Sequence, residues 1–341
     1  MNLEEIFTFE NLYEAHTNCR KSKQHKGEVI RFEINLSYNI INIIKSIVSK
    51  KYKIGNYKTI LLYEPKERII EAPTYKDRVI IKCLCDNSIK PRIEKKLIYD
   101  NAACRKNKGT TFSIKRLETF LRKEYFKEKN NNVYFLKCDV KKYFPSINHE
   151  ILINLLEKTG FSNDEMWIIK KFIKINDSDI GLPLGNQTSQ WFALLYLNKI
   201  DRLIKEKLQI KHYIRYMDDM ILIHRDKNYL RYCLKEIEKM CNKELKLSLN
   251  KKTQIGKVKN GIDFLGYRFI LTETGKIVKK LRQSSKIRLK RHLKTLNKLK
   301  LKNIIDDEYI FIRKNAYYNH IKDTDESKNL KGKTLPKNFK L

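Results

Sequence analysis

The stretch Tyr213-Ile-Arg-Tyr-Met-Asp-Asp-Met-Ile-Leu-Ile-His224 decides how this chain folds. Two short runs of β-branched and aromatic residues flank a polar break, which predicts a β-hairpin with Asp218 and Asp219 in its turn. Side-by-side carboxylates repel each other, and tight hairpin turns favour residues that accept a positive φ. Like charges between two buried strands need a cation to hold them, and oxygen-only ligands suit Mg²⁺. An Asp-Asp pair alone is most often a solvated surface turn, so the hypothesis needs a third group.

A third carboxylate, Asp139, lies at the end of the alternating, β-rich segment 133–140. A strand that ends in Asp139, next to a hairpin presenting Asp218 and Asp219, would assemble three carboxylates at one edge of a sheet. Such a set can hold two Mg²⁺ about 3.5–4 Å apart, which stabilises the attacking and leaving oxygens of phosphoryl transfer. Asp139 alone could equally cap a helix or a turn. Together with the hairpin it predicts a two-metal site.

The net charge of the 341-residue chain is +34, from 73 Lys and Arg against 39 Asp and Glu. A charge of this size predicts a polyanionic partner, with nucleic acid as the first candidate. The sequence has no 18-residue apolar run and no signal-peptide core, so we expect no membrane partner. Its seven cysteines include no C-x-x-C pair, which predicts reduced thiols in a cytoplasmic protein.

Hydrophobic periodicity and turn residues predict the other elements. We expect helices over 3–18, 35–49, 75–89, 113–127, 150–159, 191–208 and 227–245. We expect strands over 58–63 and 67–72 around the turn Glu64-Pro65-Lys66, a short strand over 245–249, and a hairpin within 261–270.

The segment 276–302 contains twelve Lys or Arg and no acidic residue. Its apolar residues recur at roughly helical spacing: Ile287, Leu289, Leu293, Leu296 and Leu299. A helix with one apolar stripe and a basic face suits tracking along a nucleic-acid backbone. A solvated basic face is the alternative.

These segments, in this order, resemble the motifs of bacterial reverse transcriptases with a right-handed palm, fingers and thumb. The resemblance covers roughly residues 55–285. It rests on Arg68-x9-Arg78 with Ala72-Pro73-x3-Asp77, Lys137-Cys-Asp-Val-Lys-Lys-Tyr-Phe-Pro-Ser146, Gly181–Gln190, Tyr216-Met-Asp-Asp219, Leu247–Thr253 and Phe264-Leu-Gly-Tyr267.

The resemblance implies an α+β fold: a right-hand polymerase with an antiparallel palm sheet, helical and β fingers, and a helical thumb. It also implies limits for the parts of the chain. They are an N-terminal helical extension 1–57, fingers 58–135, palm 136–270 with fingers elements near 150–185, thumb 271–326, and a basic, disordered tail 327–341.

The same resemblance implies a role for each matched residue. Asp139, Asp218, Asp219 and the carbonyl of Val140 would hold two Mg²⁺, which Mn²⁺ can replace. Lys252 would act as a general acid toward pyrophosphate. Phe144 would exclude a ribose 2′-OH, and Arg68, Arg78 and Gln190 would contact the incoming dNTP. Template and primer contacts would come from Leu184, Gly185, Ser189, Tyr216, Met217, Phe264, Leu265, Gly266 and Tyr267.

The stretch Leu184-Gly-Asn-Gln-Thr-Ser-Gln190 is similar to that of diversity-generating retroelement enzymes. This similarity implies an error-prone RNA-directed DNA polymerase, bacterial or phage-encoded, that copies a template RNA into an RNA/cDNA duplex with mistakes at template adenines. It also implies a small basic accessory protein as partner. A reverse transcriptase of a group II intron-like, retron or phage-defence system is the alternative, and a non-catalytic RNA-binding protein with a polymerase fold is a remoter one.

Overall fold

A computed structural model of the chain describes residues 2–63, 67–175, 178–322 and 324–327. Its N-terminal part is helical, with α1 (Leu3–Ile6), α2 (Phe9–Arg20), α3 (Gly27–Ile34) and α4 (Leu36–Val48). The predicted helix over 3–18 breaks after α1, because the Thr8 side chain accepts a hydrogen bond from Asn11 N and caps a new helix. Helix α3 was not predicted.

The next part begins with a hairpin. Strands β1 (Lys58–Leu62) and β2 (Arg68–Ala72) pair antiparallel, as predicted. Its expected turn, Glu64-Pro65-Lys66, lies outside the described residues. The predicted helix over 75–89 divides into α5 (Tyr75–Leu84) and a π-helical turn (Cys85–Ile89), and continues as α6 (Lys90–Lys96). Helix α7 (Thr110–Glu128) then crosses to the central sheet.

The central sheet contains β3 (Tyr134–Cys138), β4 (His212–Tyr216), β5 (Asp219–His224) and β6 (Gln254–Lys257). Its order is β4-β5-β3-β6, and all neighbours run antiparallel. The predicted strand over 245–249 is wrong: only Leu249 forms a bridge, and Lys246 has φ +50, which is not a strand conformation. The fourth strand forms a few residues later.

Helices cover the sheet. Between β3 and β4 the chain forms α8 (His149–Glu157), α9 (Asn163–Ile173), α10 (Gln187–Tyr196), α11 (Asn198–Arg202) and a π-helical turn (Leu203–Lys207). Helix α12 (Lys227–Glu244) follows β5. The predicted helix over 191–208 therefore begins earlier and is interrupted, and α9 was not predicted.

The sheet separates two apolar clusters. Leu136 and Leu222 point into the larger cluster, whereas Phe135 and Ile221 point into the smaller one, as the two-residue period of a strand requires. Because both faces are covered, the strands contain nearly continuous apolar runs. Polar residues lie at the ends of these strands, among them Asp139 after β3 and Asp218 before β5.

The C-terminal part combines a second sheet with two helices. Strands β7 (Ile262–Phe264), β8 (Tyr267–Leu271) and β9 (Ile277–Leu281) form an antiparallel sheet, followed by α13 (Gln283–Leu301) and α14 (Asp307–Ile321). The basic run was predicted to be one helix, but its first residues pair with β8. Helix α14 was not predicted, and the predicted tail lies outside the described residues from 328 onward.

The apolar stripe of α13 is confirmed in part. Leu289 and Leu296 are buried and Leu293 packs against the smaller cluster, whereas Ile287 is 44% exposed. The seven cysteines are all free thiols. Within the described ranges, no helix is both long and apolar enough to cross a membrane.

Candidate active site

The turn of the β4–β5 hairpin consists of Met217 and Asp218. Tyr216 pairs with Asp219, so Asp219 is the first residue of β5 and the prediction of both aspartates in the turn is wrong by one residue. Met217 has φ +55. Two-residue hairpin turns favour a positive φ at this position because it matches the twist of the flanking strands.

Strand register brings Asp139 to this turn. Cys138 pairs with Met220, so Asp139 and Asp219 come next at the same edge of the sheet. The Asp218 carboxyl lies within hydrogen-bonding reach of Asp139, and burial together with the Asp139 charge raises the pKa of Asp218 to about 6. Burial also raises the pKa of Asp219 to about 6, against the opposing effect of Lys137. Two carboxyl groups are thus crowded together, with a third beside them.

Lys137 is a residue of this site that the sequence analysis missed. Its Nζ lies 3.3 Å from Asp219 Oδ2 and donates a 2.6 Å hydrogen bond to the carbonyl oxygen of Asp263 on β7. Asp219 Oδ1 is buried without a hydrogen-bond partner among the described residues. Lys137 lies two residues before Asp139, so the two-residue period of a strand places both on one side of the chain, and this spacing is the signal that could have found Lys137.

Asn250, also missed, holds Asp139 in place. Its backbone N donates to Asp139 O at 2.6 Å, and its Nδ2 donates to Asp139 Oδ2 at 3.1 Å. Val140 is buried and bridges Leu249 in the adjacent segment. Lys252 is exposed in the same loop, and its backbone N donates to Asn250 Oδ1. The loop therefore fixes one carboxylate and presents Lys252 to solvent.

The donor set fits an oxygen-seeking divalent cation. Nowhere in the described part of the chain do three His, Cys, Asp or Glu side chains form a ready-made metal site, and Asp219 is paired with Lys137. However, the like charges of Asp139 and Asp218, and the unpartnered Asp219 Oδ1, are features that a bound cation would compensate. Carboxylate oxygens are the ligands that Mg²⁺ prefers.

The two arginines predicted to contact a dNTP lie in different surroundings. Arg68 is exposed at the start of β2, and its charge acts on Asp218 to lower that residue's pKa, against the larger effect of burial. Arg78 Nη1 lies 3.4 Å from Glu28 Oε1 on α3, and its Nη2 donates to Pro73 O at 3.3 Å. Arg68 therefore acts on the carboxylates, whereas Arg78 is paired with the N-terminal helices.

The loop before α10 contacts the β1–β2 hairpin. Leu184 O accepts a 3.0 Å hydrogen bond from Glu71 N on β2. Gly185 has φ +145, and a Cβ at this position would lie 2.5 Å from Glu71 O. Only glycine fits there. This contact ties the template-contacting stretch predicted from sequence to the strand that begins with Arg68.

Three other predicted residues lie in the chain between β3 and β4. Phe144 is half-buried, with its ring 5.7 Å from that of Tyr143 in an edge-on arrangement. Gln190 is exposed on α10 and its Oε1 accepts a hydrogen bond from Cys104 Sγ at 3.2 Å. Ser189 is buried, and its Oγ has no hydrogen-bond partner within the described ranges.

The predicted primer contacts form the β7–β8 hairpin. Phe264 pairs with Tyr267, so Leu265 and Gly266 form the turn, with φ +46 and +90. Gly266 O accepts a 3.0 Å hydrogen bond from the backbone N of Arg282, at the start of α13. The hairpin is therefore fixed to the basic helix on one side and, through Lys137, to Asp219 on the other.

Solved telomerase structures have a similar fold. Apo telomerase from Candida tropicalis matches with a TM-score of 0.52 and 15% identity, over 68% of this chain and 49% of that chain. Telomerase from Candida albicans, in complex with a TWJ fragment of telomeric RNA, matches with a TM-score of 0.50 and 14% identity, over 67% and 45%. At these identities the likeness concerns the fold alone. It confirms the predicted α+β right-hand polymerase with an antiparallel palm sheet.

The family follows from the sequence match. The model of the reverse transcriptase (RNA-dependent DNA polymerase) family matches residues 51–269, and the chain belongs to this family. A COX1/OXI3 intron 2 protein of Saccharomyces cerevisiae is 20% identical over an alignment of 330 residues, and the match covers 72% of this chain. The chain spans 36% of the length of that relative. The relative is intron-related, and it supports a reverse transcriptase without pointing to the bacterial retroelement type.

Proposed function

We propose that this chain copies an RNA template into DNA by metal-dependent nucleotidyl transfer. The observation that carries the proposal is the strand register that brings Asp139, Asp218 and Asp219 to one edge of the palm sheet. There, burial and the like charge of Asp139 raise the pKa of Asp218 to about 6. Asp139, Asp218, Asp219 and the carbonyl of Val140 would hold Mg²⁺. When bound, Mg²⁺ supplies Lewis-acid stabilisation of the attacking and leaving oxygens.

The chain's own residues position the reactants. Asn250 orients Asp139 through its side-chain amide, and Lys137 holds Asp219. Arg68 brings a guanidinium toward the same carboxylates, where it would bind triphosphate oxygens. Phe144 would pack against the sugar of a dNTP, and Lys252 would donate a proton to departing pyrophosphate.

Two proposals concern the biological setting, and a third concerns the limits of the parts of the chain. The stretch 184–190 supports an error-prone enzyme of a diversity-generating retroelement that works in the cytoplasm with a small basic accessory protein. The intron-related yeast relative supports the alternative, an enzyme of an intron-like element.

For the parts of the chain we propose an extension 1–57, fingers 58–135, palm 136–270 and thumb 271–326.

The test is primer extension on an RNA template with Mg²⁺ and dNTPs, comparing the wild type with Asp218→Asn. We expect Asp218→Asn to reduce incorporation by at least about 1,000-fold, because one carboxylate of the metal set is neutralised. Circular dichroism should show an unchanged fold. Asp164→Asn, at a carboxylate on α9 that is 40% exposed and pairs with Lys50, is the matched control and should retain activity. Primer extension by Asp218→Asn at the wild-type rate would refute the assignment of Asp218 to the metal site.

The same reactions distinguish the two settings. Sequencing the cDNA by template base measures where errors occur. Errors concentrated opposite adenine would support the diversity-generating type, and accurate copying would support an intron, retron or defence enzyme. Tight RNA binding without extension on any template would support a non-catalytic RNA-binding protein.

A further inference from the structure

An ion pair between Arg215 on β4 and Asp201 on α11 is fully buried. Arg215 Nε donates to Asp201 Oδ1 at 2.7 Å, and its Nη2 donates to Oδ2 at 2.6 Å. Burying two charges incurs a large desolvation penalty, and well-packed apolar residues often give equal or greater stability. A bidentate pair in such a position therefore requires an explanation other than stability.

The third nitrogen of the Arg215 guanidinium, Nη1, contacts the β4–β5 turn that contains Asp218. Nη1 donates a 2.9 Å hydrogen bond to the carbonyl oxygen of Met217, the residue before Asp218. Met217 has φ +55. Non-glycine residues seldom adopt a positive φ, and they keep it where the surrounding structure holds them. The hydrogen bond from Arg215 restrains this peptide group from outside the turn.

Arg215 is itself held on several sides. Its Nη2 also donates to Leu194 O on α10 at 3.0 Å. Asp201 Oδ1 accepts a 2.6 Å hydrogen bond from Tyr213 OH. The Arg215 backbone accepts from Ala102 N and donates to Asp100 O. The guanidinium thus joins the turn to α10 and α11, and the backbone of Arg215 joins β4 to the loop after α6.

We propose that Arg215, oriented by Asp201, is a positioning residue for the reaction: by holding the Met217 carbonyl it fixes the Asp218 carboxylate next to Asp139. This inference rests on the proposed function, since it assigns Asp218 to the metal set. A lysine cannot replace the arginine, because an ammonium lacks the planar fork that binds Asp201 with two nitrogens while the third reaches Met217.

The test compares Arg215→Lys with the wild type in steady-state primer extension. Positioning predicts that kcat falls at least about tenfold, because small displacements of catalytic groups have effects of this size. The KM for dNTP and the Kd for a primer–template duplex should stay within about threefold of wild type. A residue with only a structural role would not produce this split in folded protein.

Two control variants separate positioning from loss of stability. Arg202 follows Asp201 in the sequence, is exposed and pairs with Glu206. Arg202→Lys should leave kcat, the KM for dNTP and the Kd for the duplex unchanged. Leu230→Ala removes a fully buried side chain from α12. It should lower Tm, yet retain kcat at temperatures where the protein is folded.

A second readout does not require turnover. Electron paramagnetic resonance measures Mn²⁺ binding to the wild type and to Asp218→Asn. The Mn²⁺ that the wild type binds and Asp218→Asn does not is the Mn²⁺ whose binding requires Asp218. We expect Arg215→Lys to weaken this binding about tenfold. If the wild type bound Mn²⁺ but did not extend primers, the proposed function would fail while this readout still tested the positioning role.

The outcomes are decisive. If folded Arg215→Lys had the kcat and the Mn²⁺ affinity of the wild type, the inference would be overturned. It would also be overturned if Arg215→Lys lost affinity for the duplex by the same factor as it lost kcat. If Arg215→Lys did not fold, Asp201→Asn would be measured in the same way, since it keeps the guanidinium and removes the charge that orients it. Failure of both variants to fold would show that the pair is structural.

Discussion

Gly185 lies where the loop before α10 touches β2. We expect Gly185→Ala to destabilise this contact by about 1–3 kcal/mol and to reduce primer extension, because alanine is strained at φ +145 and its Cβ would meet Glu71 O at 2.5 Å. Thermal unfolding and extension assays measure the two effects. Gly27→Ala is the control, because a Cβ there meets no atom within 4 Å. If Gly185→Ala and Gly27→Ala had the same thermal stability and the same primer-extension activity, the close contact at Gly185 would be contradicted.

Phe144 determines which sugar is accepted if its ring occupies the place of a ribose 2′-OH. We expect Phe144→Val to raise the kcat/KM for a ribonucleotide relative to the matching dNTP by at least about tenfold, since removing a steric block changes binding by a few kcal/mol. Single-nucleotide extension with each substrate measures the ratio. Phe126→Val, at a 70% exposed phenylalanine on α7, should leave the ratio unchanged. An unchanged ratio in Phe144→Val would mean that the ring only packs.

Chemical character and spacing predicted Asp139 and Asp218 as neighbours, and strand pairing brings them together. Lys137, Asn250 and Arg215 were not predicted. Each is a common residue type whose role depends on a partner distant in sequence, such as Asp263 for Lys137 or Asp201 for Arg215. Arg78 matched a motif, but it is paired with Glu28 on a helix that periodicity did not reveal.

At the scale of elements, α7 is attached to the palm sheet through Glu124, which is 3% exposed. Its Oε1 accepts hydrogen bonds from His212 on β4 and from Lys127, each at 2.6 Å. Burial raises the pKa of Glu124, but these hydrogen bonds outweigh it and hold the pKa at about 2, below the ordinary 4.5. A depressed pKa stabilises the folded state above pH 4.5, and this contribution is lost as the pH falls toward 2.

We therefore expect Glu124→Gln to lower the free energy of unfolding by up to about 3 kcal/mol at neutral pH. The difference from wild type should shrink between pH 4.5 and about pH 2, because the wild type then becomes protonated. Thermal unfolding across this pH range measures it. Glu128→Gln, at a 57% exposed carboxylate on the same helix, should show no such difference. A constant difference at every pH would disprove the assignment.

Elements with a clear period could be predicted, and those shaped by tertiary contacts could not. The hairpins and α12 agree with the sequence to within a few residues. The division of two long helices by π-helical turns, at Cys85–Ile89 and Leu203–Lys207, has no sequence signal in apolar spacing. The strand β9 was hidden in a basic run, because pairing with β8 prevailed over its lysines.

At the scale of the whole molecule, the net charge of +34 and the exposed basic face of α13 predict salt-sensitive binding. We expect Lys290→Gln with Lys294→Gln to reduce the slope of log K against log salt for a primer–template duplex by about 1–2, since each phosphate contact contributes about 0.9. Fluorescence anisotropy across salt concentrations measures the slope. Lys235→Gln with Lys239→Gln, on the exposed face of α12, is the control of equal charge. The same loss in both variants would indicate a general charge effect.

Lys137 connects parts of the molecule that are distant in sequence, since one ammonium contacts both Asp219 and the backbone of Asp263. The contact on β7 is made by a carbonyl oxygen, which every amino acid supplies. Side-chain substitution at position 263 therefore leaves that acceptor in the chain. Alanine scanning of the hairpin would miss this connection, and a genetic screen would detect it only through Lys137 itself or through insertions and deletions that move the strand.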